Sequence, residues 1–100
     1  MSKLDFILEE LVTANRILAN EGVVDSFGHV SARHPGNPQH YLLSRARAPE
    51  RIERDDIVEY ELDGTPIDER GRAPYLERFI HGAIYEQRPD VHAVVQTMVA

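Results

Sequence analysis

A periodic apolar pattern in residues 3–20 constrains the fold most strongly. Apolar side chains recur there every three or four positions, and they are Leu4, Ile7, Leu8, Leu11, Ala14 and Leu18. Polar residues lie largely on the opposite side. This spacing predicts an amphipathic helix that packs one face against a core. Gly22 follows the pattern and is the predicted left-handed cap that ends the helix.

After this helix the apolar runs become short and turn residues separate them. Three runs predict strands, at residues 30–33, 41–44 and 57–62. Pro and Gly in residues 34–38 predict a turn between the first two strands. Residues 45–56 form a polar connection with one helical turn after Pro49. The pair Asp63-Gly64 predicts a hairpin that returns through residues 65–67.

The last third of the chain predicts a second helix and a final strand. Pro74 stands where a helix can begin, and the apolar stripe of that helix would be Leu76, Phe79, Ile80, Ala83 and Ile84. Arg88-Pro89 ends the helix, and residues 91–95 form the last strand. The order of elements predicts one α/β domain of the α+β type over residues 1–100, with helices packed on a central, mainly antiparallel sheet.

Composition excludes several classes of function. The chain has no cysteine, which excludes disulfides, thiolate metal sites and cysteine nucleophiles. The formal net charge of −6 argues against non-specific nucleic-acid binding. No apolar run approaches the ~18 residues of a membrane span, and the first residues do not resemble a signal peptide. We therefore expect a cytoplasmic protein without nucleic-acid or membrane partners.

His29 is the first candidate site residue, because it follows Gly28 in a predicted turn. A glycine neighbour lets a substrate approach the backbone, and histidine can then act as a ligand or a base. The alternative is an ordinary polar turn residue. The residues themselves leave both interpretations open.

A second candidate is a local cluster of arginines, namely Arg45, Arg47, Arg51 and Arg54. Guanidinium groups bind carboxylates or phosphates with two parallel hydrogen bonds. We expect Arg51 and Arg54 to pair on the surface with Glu50, Glu53 and Asp55. Arg45 and Arg47 directly follow a strand, where site loops are common. For these two, ligand binding and surface pairing remain equally open.

Glu77 and His81 are four residues apart, so they share one face of the second helix. A glutamate beside an apolar stripe can serve as an acid or base, but a glutamate in a first helical turn can also simply favour the helix dipole. His81 could bind a metal, although one histidine does not make a site. His92 is interpreted as a satisfied histidine within the last strand. Spacing and composition thus leave the function open.

Several stretches taken together resemble the class II aldolase/adducin family. They are residues 14–18, 28–33, Ser44, 55–58, 62–64, 77–81 and 88–95, and the resemblance covers essentially the whole chain. No single stretch is specific, whereas their order and spacing are. Residues 22–35 and the loop at 44–49 look closest to the decarboxylase branch. That branch resembles enzymes acting on aromatic or heteroaromatic hydroxy-carboxylates.

The resemblance implies a three-layer fold, a homotetramer and a divalent metal, zinc or manganese, held by three histidines. Such a metal acts as a Lewis acid that stabilises an enolate when a carbon–carbon bond breaks. Glu77 matches the family's acid/base. Gly28 and His29 match a turn that contacts the anionic group of a small substrate. Ser44 and Arg45 match a second contact loop, and Arg45 or Arg47 would hold the carboxylate that a decarboxylase retains.

The chain departs from the family pattern at the metal site. The two positions of the family's His-x-His are Gln96 and Met98, and the third histidine would lie beyond Ala100. Glutamine is a weak ligand, and the soft methionine thioether is unsuited to zinc or manganese. We therefore expect the truncated N-terminal portion of a metal-dependent carbon–carbon lyase that is inactive by itself. The alternatives are an adducin-like assembly module and a remnant without function.

Overall fold

The structure, a computed structural model, describes residues 2–21, 29–45, 47–68 and 70–96. The helices are α1 (Lys3–Asn20) and α2 (Arg78–Gln87), and the strands are β1 (His29–Arg33), β2 (His40–Ser44), β3 (Ile57–Glu61) and β4 (Ala93–Gln96). The four strands form one sheet in the order β3-β2-β1-β4, with every neighbouring pair antiparallel. The predicted class, helices packed on an antiparallel sheet, is confirmed.

Helix α1 has the predicted bounds, and its first turn is closed by a capping box. The backbone N–H of Asp5 donates to Ser2 Oγ at 3.0 Å, while Ser2 N–H donates to Asp5 Oδ2 at 3.2 Å. Arg54 also pairs with Asp5. The expected pairing of Arg54 with Glu50, Glu53 or Asp55 was therefore wrong. Hydrogen bonds from Arg54 and Ser2 lower the pKa of Asp5 to about 2. The predicted cap Gly22 lies outside the described residues.

The two helices cover opposite faces of the sheet, because successive strand side chains alternate between faces. On the α1 face the buried residues are Leu11, Val30, Ala32, Leu42, Ile52 and Ile57. On the α2 face they are Tyr41, Leu43, Val58, Tyr60, Tyr75 and Tyr85. Asn15, which the apolar pattern missed, ties α1 to β1. Its amide donates to Leu11 O at 2.8 Å, and its Oδ1 accepts from Val30 N–H at 3.1 Å.

The predicted apolar stripe of α2 was wrong. The helix begins at Arg78 rather than Pro74, and it buries His81, Gly82 and Tyr85. Four members of the predicted stripe are exposed instead, namely Leu76 (80%), Phe79 (53%), Ile80 (49%) and Ala83. The inward face instead carries His81 and Tyr85, which contact the hydroxyl of Ser31 in β1, and Gly82, where the helix passes close to the backbone of Leu62. Part of the apolar pattern therefore faces outward.

Strand ends differ by one or two residues from the predictions. His29 belongs to β1 and is not a turn residue, whereas exposed His92 precedes β4, so its interpretation as a sheet histidine was wrong. The predicted helical turn at Pro49 is a 3-10 turn, Pro49–Arg51, followed by a second 3-10 turn, Arg54–Asp56.

The Asp63-Gly64 turn is confirmed. Gly64 has φ 92° and donates its N–H to Glu61 O at 2.9 Å. The chain returns through a single bridge between Tyr60 and Pro66. Within the described residues, neither helix is long and apolar enough to cross a membrane.

Candidate functional site

A chain of buried and partly buried polar side chains connects the start of α2 with β1 and β4. Glu77 lies directly before α2, and its side chain does not cap the helix. Instead, Glu77 Oε2 accepts hydrogen bonds from Tyr75 Oη at 3.2 Å and from Gln96 Nε2. Gln96 ends β4 and pairs with His29 across the sheet. The position expected to hold a metal ligand is therefore hydrogen bonded to the candidate acid/base.

His81 continues this chain of polar groups into the protein interior. Its Nε2 lies 2.9 Å from Gln96 Oε1, and its Nδ1 lies 2.6 Å from Ser31 Oγ. Ser31 Oγ is in turn 2.8 Å from Tyr85 Oη. Burial lowers the pKa of His81, because desolvation disfavours the imidazolium. The neutral ring suits this environment, so His81 is a hydrogen-bonding group of the site.

His29 is fully buried and has specific partners. Its Nε2 donates to Arg47 O at 2.9 Å, and its ring lies at a tilt against Tyr75 with centroids 4.2 Å apart. The histidine thus connects Tyr75, which binds Glu77, to Arg47 in the segment after β2. Gly28, predicted to contact substrate beside it, lies outside the described residues.

Arg45 and Arg47 converge on one buried carboxylate, Asp56. Arg45 Nε is 2.8 Å from Asp56 Oδ1, and Arg47 Nη1 is 3.1 Å from Asp56 Oδ2. Asp56 also accepts the backbone N–H of Glu53 at 2.9 Å. Sequence reasoning missed Asp56, although its place beside a cluster of arginines is a usable signal. Both arginines are about one-third exposed, so they also remain open to an external anion.

Ser44 lies at the end of β2, next to these arginines. Its side chain is completely buried, and its hydroxyl has no hydrogen-bond partner among the described residues. Buried hydroxyl groups normally have partners, because leaving one unsatisfied costs about 1–3 kcal/mol. This unsatisfied hydroxyl is the kind of group that a bound ligand can satisfy.

A groove of about 380 Å³ opens beside these residues, lined by Arg45, Arg47, Glu53, Asp55, Asp56, Arg70 and Arg72. Four guanidinium groups face three carboxylates there, which leaves one net positive charge. Arg72 donates to Asp55 O at 2.8 Å and to Ile57 O at 2.7 Å, so it holds the groove wall together. In an acidic protein, this groove is therefore a local region of net positive charge.

The structure thus brings the predicted site residues into two connected groups. Glu77, His81 and Gln96 form the first group, while Ser44, Arg45 and Arg47 form the second. His29 joins them through Tyr75 and Arg47 O. Among the described residues, no three histidine or acidic side chains are arranged to hold a metal ion. Met98 lies outside the described residues.

Sequence reasoning missed four residues of these groups: Ser31, Tyr75, Tyr85 and Asp56. Ser31 carried a signal, because polar and apolar residues alternate along β1, and Ser31 belongs to its polar set on the face that meets α2. No local pattern singled out the two tyrosines, since they contribute through contacts made only in the folded protein.

Comparison with known proteins identifies relatives along most of the chain. The decarboxylase tropJ of Talaromyces stipitatus is 38% identical over 88 residues, covering 86% of this chain and 33% of that protein. The 3,4-dihydroxyphthalate decarboxylase of Arthrobacter keyseri is 36% identical over 97 residues, covering 87% of this chain and 38% of that enzyme. The chain therefore spans little more than a third of the length of these relatives.

Solved structures support the same assignment. L-fuculose 1-phosphate aldolase from Glaciozyma antarctica PI12 superposes with a TM-score of 0.86 at 30% identity, over 98% of this chain and 42% of that one. Residues 9–98 match the sequence family described as the Class II Aldolase and Adducin N-terminal domain. The chain belongs to the class II aldolase and adducin family, and it corresponds to a fragment of that fold.

Proposed function

We propose that the chain carries the substrate-binding part of a carbon–carbon lyase that acts on a small anionic, hydroxylated substrate through an enolate-type intermediate. The observation that carries this proposal is the state of the Glu77 carboxylate. Both of its donors, Tyr75 and Gln96, bind Oε2, and no described residue donates to Oε1. A fixed carboxylate with one oxygen available can take up or deliver a proton.

Within this class we favour decarboxylation. The related decarboxylase from Arthrobacter is named for 3,4-dihydroxyphthalate, which carries two carboxylates and two hydroxyls. In such a reaction the bond between the ring carbon and one carboxylate breaks, CO2 leaves and the electron pair stays on the ring carbon. Protonated Glu77 would then deliver a proton from Oε1 to that carbon. Aldol cleavage remains the runner-up, because aldolases share the fold.

Arg45, Arg47 and Ser44 would hold the carboxylate that the substrate retains. The groove beside them has a net positive charge, and both arginines are partly exposed. The unsatisfied Ser44 hydroxyl would donate the remaining hydrogen bond. His29 is committed to Arg47 O and Tyr75, so its role would be to hold the two groups of residues together. Gly28 remains a proposed backbone contact.

The residues present do not fit the divalent metal that the family resemblance implies. Gln96 Oε1 already accepts from His81 Nε2, and Gln96 Nε2 donates to Glu77. Both ends of the amide are therefore engaged by neighbouring side chains, and a neutral amide is a weak ligand for zinc compared with the histidine that the family pattern has there. We propose instead that this chain alone holds no metal ion, and that it binds substrate without turning it over.

A homo-oligomer, either of the enzyme or of an adducin-like assembly module, is the second part of this proposal. Leu76, Phe79 and Ile80 are exposed on and beside α2, and large apolar side chains exposed together often mark contact surfaces. Light scattering on the purified chain separates an oligomer from a monomer, and a monomer would remove this part of the proposal. The cytoplasmic location likewise stays a prediction.

Titration with 3,4-dihydroxyphthalate tests the proposed substrate class. We expect saturable NMR shifts of the backbone amides of Ser44, Arg45 and Arg47. Arg47→Gln should raise the dissociation constant about tenfold, because one charged hydrogen bond contributes roughly 1.5 kcal/mol to binding.

Arg51→Gln is the matched control, because Arg51 lies exposed on the adjacent 3-10 turn. The control should bind like the parent chain. The absence of saturable shifts, or an equal loss of affinity in both variants, would contradict the proposal. Tighter binding of L-fuculose 1-phosphate would favour the aldolase over the decarboxylase.

A further inference from the structure

We propose that Gln96 is a positioning residue that fixes the Glu77 carboxylate by bridging it to the buried imidazole of His81. Gln96 stands where the family pattern has a histidine, and it fixes which group donates and which accepts in each hydrogen bond of the site. The functional meaning of this role rests on the proposed function of Glu77. The geometry and its test do not depend on that function.

The donor and acceptor roles follow from the chemistry of the groups. An ionised carboxylate only accepts, so Glu77 requires the NH2 group of Gln96 to face it. The Gln96 oxygen must then face His81, and because it only accepts, His81 Nε2 must carry a proton. Only one orientation of the Gln96 amide satisfies both neighbours.

The same sequence of donors and acceptors continues through His81 into the core. In the neutral ring with a proton on Nε2, Nδ1 is an acceptor. It therefore accepts a hydrogen bond from the Ser31 hydroxyl. The Ser31 oxygen is then free to accept from Tyr85. Every member has a matching partner when the His81 ring is neutral, and burial lowers the pKa of His81 and so favours that form. The buried end of the network is therefore fixed by packing.

This arrangement explains how Glu77 is held although α2 does not hold it. The Glu77 side chain makes no capping bond to its own helix. Its oxygen is fixed by β4 through Gln96 and by Tyr75. Tyr75 is packed on His29, which pairs with Gln96 across the sheet. The sheet therefore determines the direction of the carboxylate.

The tautomer of His81, read from its 15N chemical shifts, tests this role of Gln96. In the parent chain we expect the proton on Nε2. Gln96→Leu leaves a buried Nε2–H without an acceptor, which destabilises that tautomer. We therefore expect the population with the proton on Nδ1 to rise and the Glu77 carboxyl 13C resonance to shift. Gln87→Leu, at the exposed end of α2, is the control and should change neither signal.

Glu77→Gln provides a second test if Gln96→Leu does not fold. Without an acceptor-only carboxylate, the Gln96 amide can turn over, so we expect a mixture of His81 tautomers. A pure Nε2–H tautomer in both variants, or in the folded one of the two, would overturn the proposal. This readout needs no ligand, so it can succeed even where the substrate titration fails.

Discussion

Gly82→Ala should lower the free energy of unfolding by about 3 kcal/mol, the upper part of the usual range for overpacking. A Cβ atom at this position would overlap the carbonyl oxygen of Leu62, and it would lie 3.2 Å from Leu62 C and 3.3 Å from Tyr41 Cε1. Backbone atoms cannot rotate away as a flexible side chain can, so α2 must withdraw from the sheet. The helical preference of alanine over glycine, about 1 kcal/mol, offsets only part of this cost.

Urea denaturation measures this change, with Gly36→Ala as the matched control. A Cβ at Gly36 would meet only His34 Cε1 at 3.4 Å and Nδ1 at 3.6 Å, which is ordinary contact. We expect the control to stay within about 0.5 kcal/mol of the parent chain. Equal stabilities for the two variants would show that α2 does not lie this close to the turn after β3. The hydrogen bonds that join Glu77 and His81 to Gln96 would then be placed wrongly as well, because they depend on the position of α2.

Asp56→Ala should have the second largest effect, a loss of about 3 kcal/mol, because removing one member of a buried ion pair leaves the other charge uncompensated. Asp56 is 5% exposed, and it neutralises Arg45 and Arg47 together. It also accepts the backbone N–H of Glu53. Partial exposure of the two arginines keeps the expected loss at the lower end of the range for buried pairs.

Asp55→Ala is the control for this substitution, because its carboxylate is exposed on the same 3-10 turn. Chemical denaturation should show a change within about 0.5 kcal/mol for the control. Asp56→Asn should fall between the two, since it keeps an acceptor and loses the charge. If Asp56→Ala proved as stable as the control, Asp56 would not be the anchor of the arginine pair.

The sequence predicted most of the elements because their signals are local. The three- and four-residue spacing in residues 3–20 gave α1 with its observed bounds, and the short runs gave four strands to within two residues. The Asp63-Gly64 pair gave the turn, since a positive φ at Gly64 is required there. Helix α2 was placed too early, because Leu76, Phe79 and Ile80 continue an apolar pattern that the structure leaves exposed.

The site was predictable only in part. Glu77 and His81 both bind Gln96 and so lie near each other, but Glu77 precedes α2 and does not share a helix face with His81 as the spacing predicted. Gln96 joins them through the pairing of β4 with β1, which depends on contacts far apart in the sequence. The same holds for Asp56 and the arginines, and for Ser31 beneath His81. No local pattern encodes such long-range partners.

The central claim is that the site with Gln96 in place of a histidine ligand binds no metal ion. Equilibrium dialysis against zinc or manganese, followed by elemental analysis of the protein, tests it most directly. Because the Gln96 amide is engaged on both sides by His81 and Glu77, we expect metal contents well below one equivalent for both ions. A stoichiometric metal would contradict this interpretation, since an ion could bind there only if the Gln96 amide left Glu77 and His81.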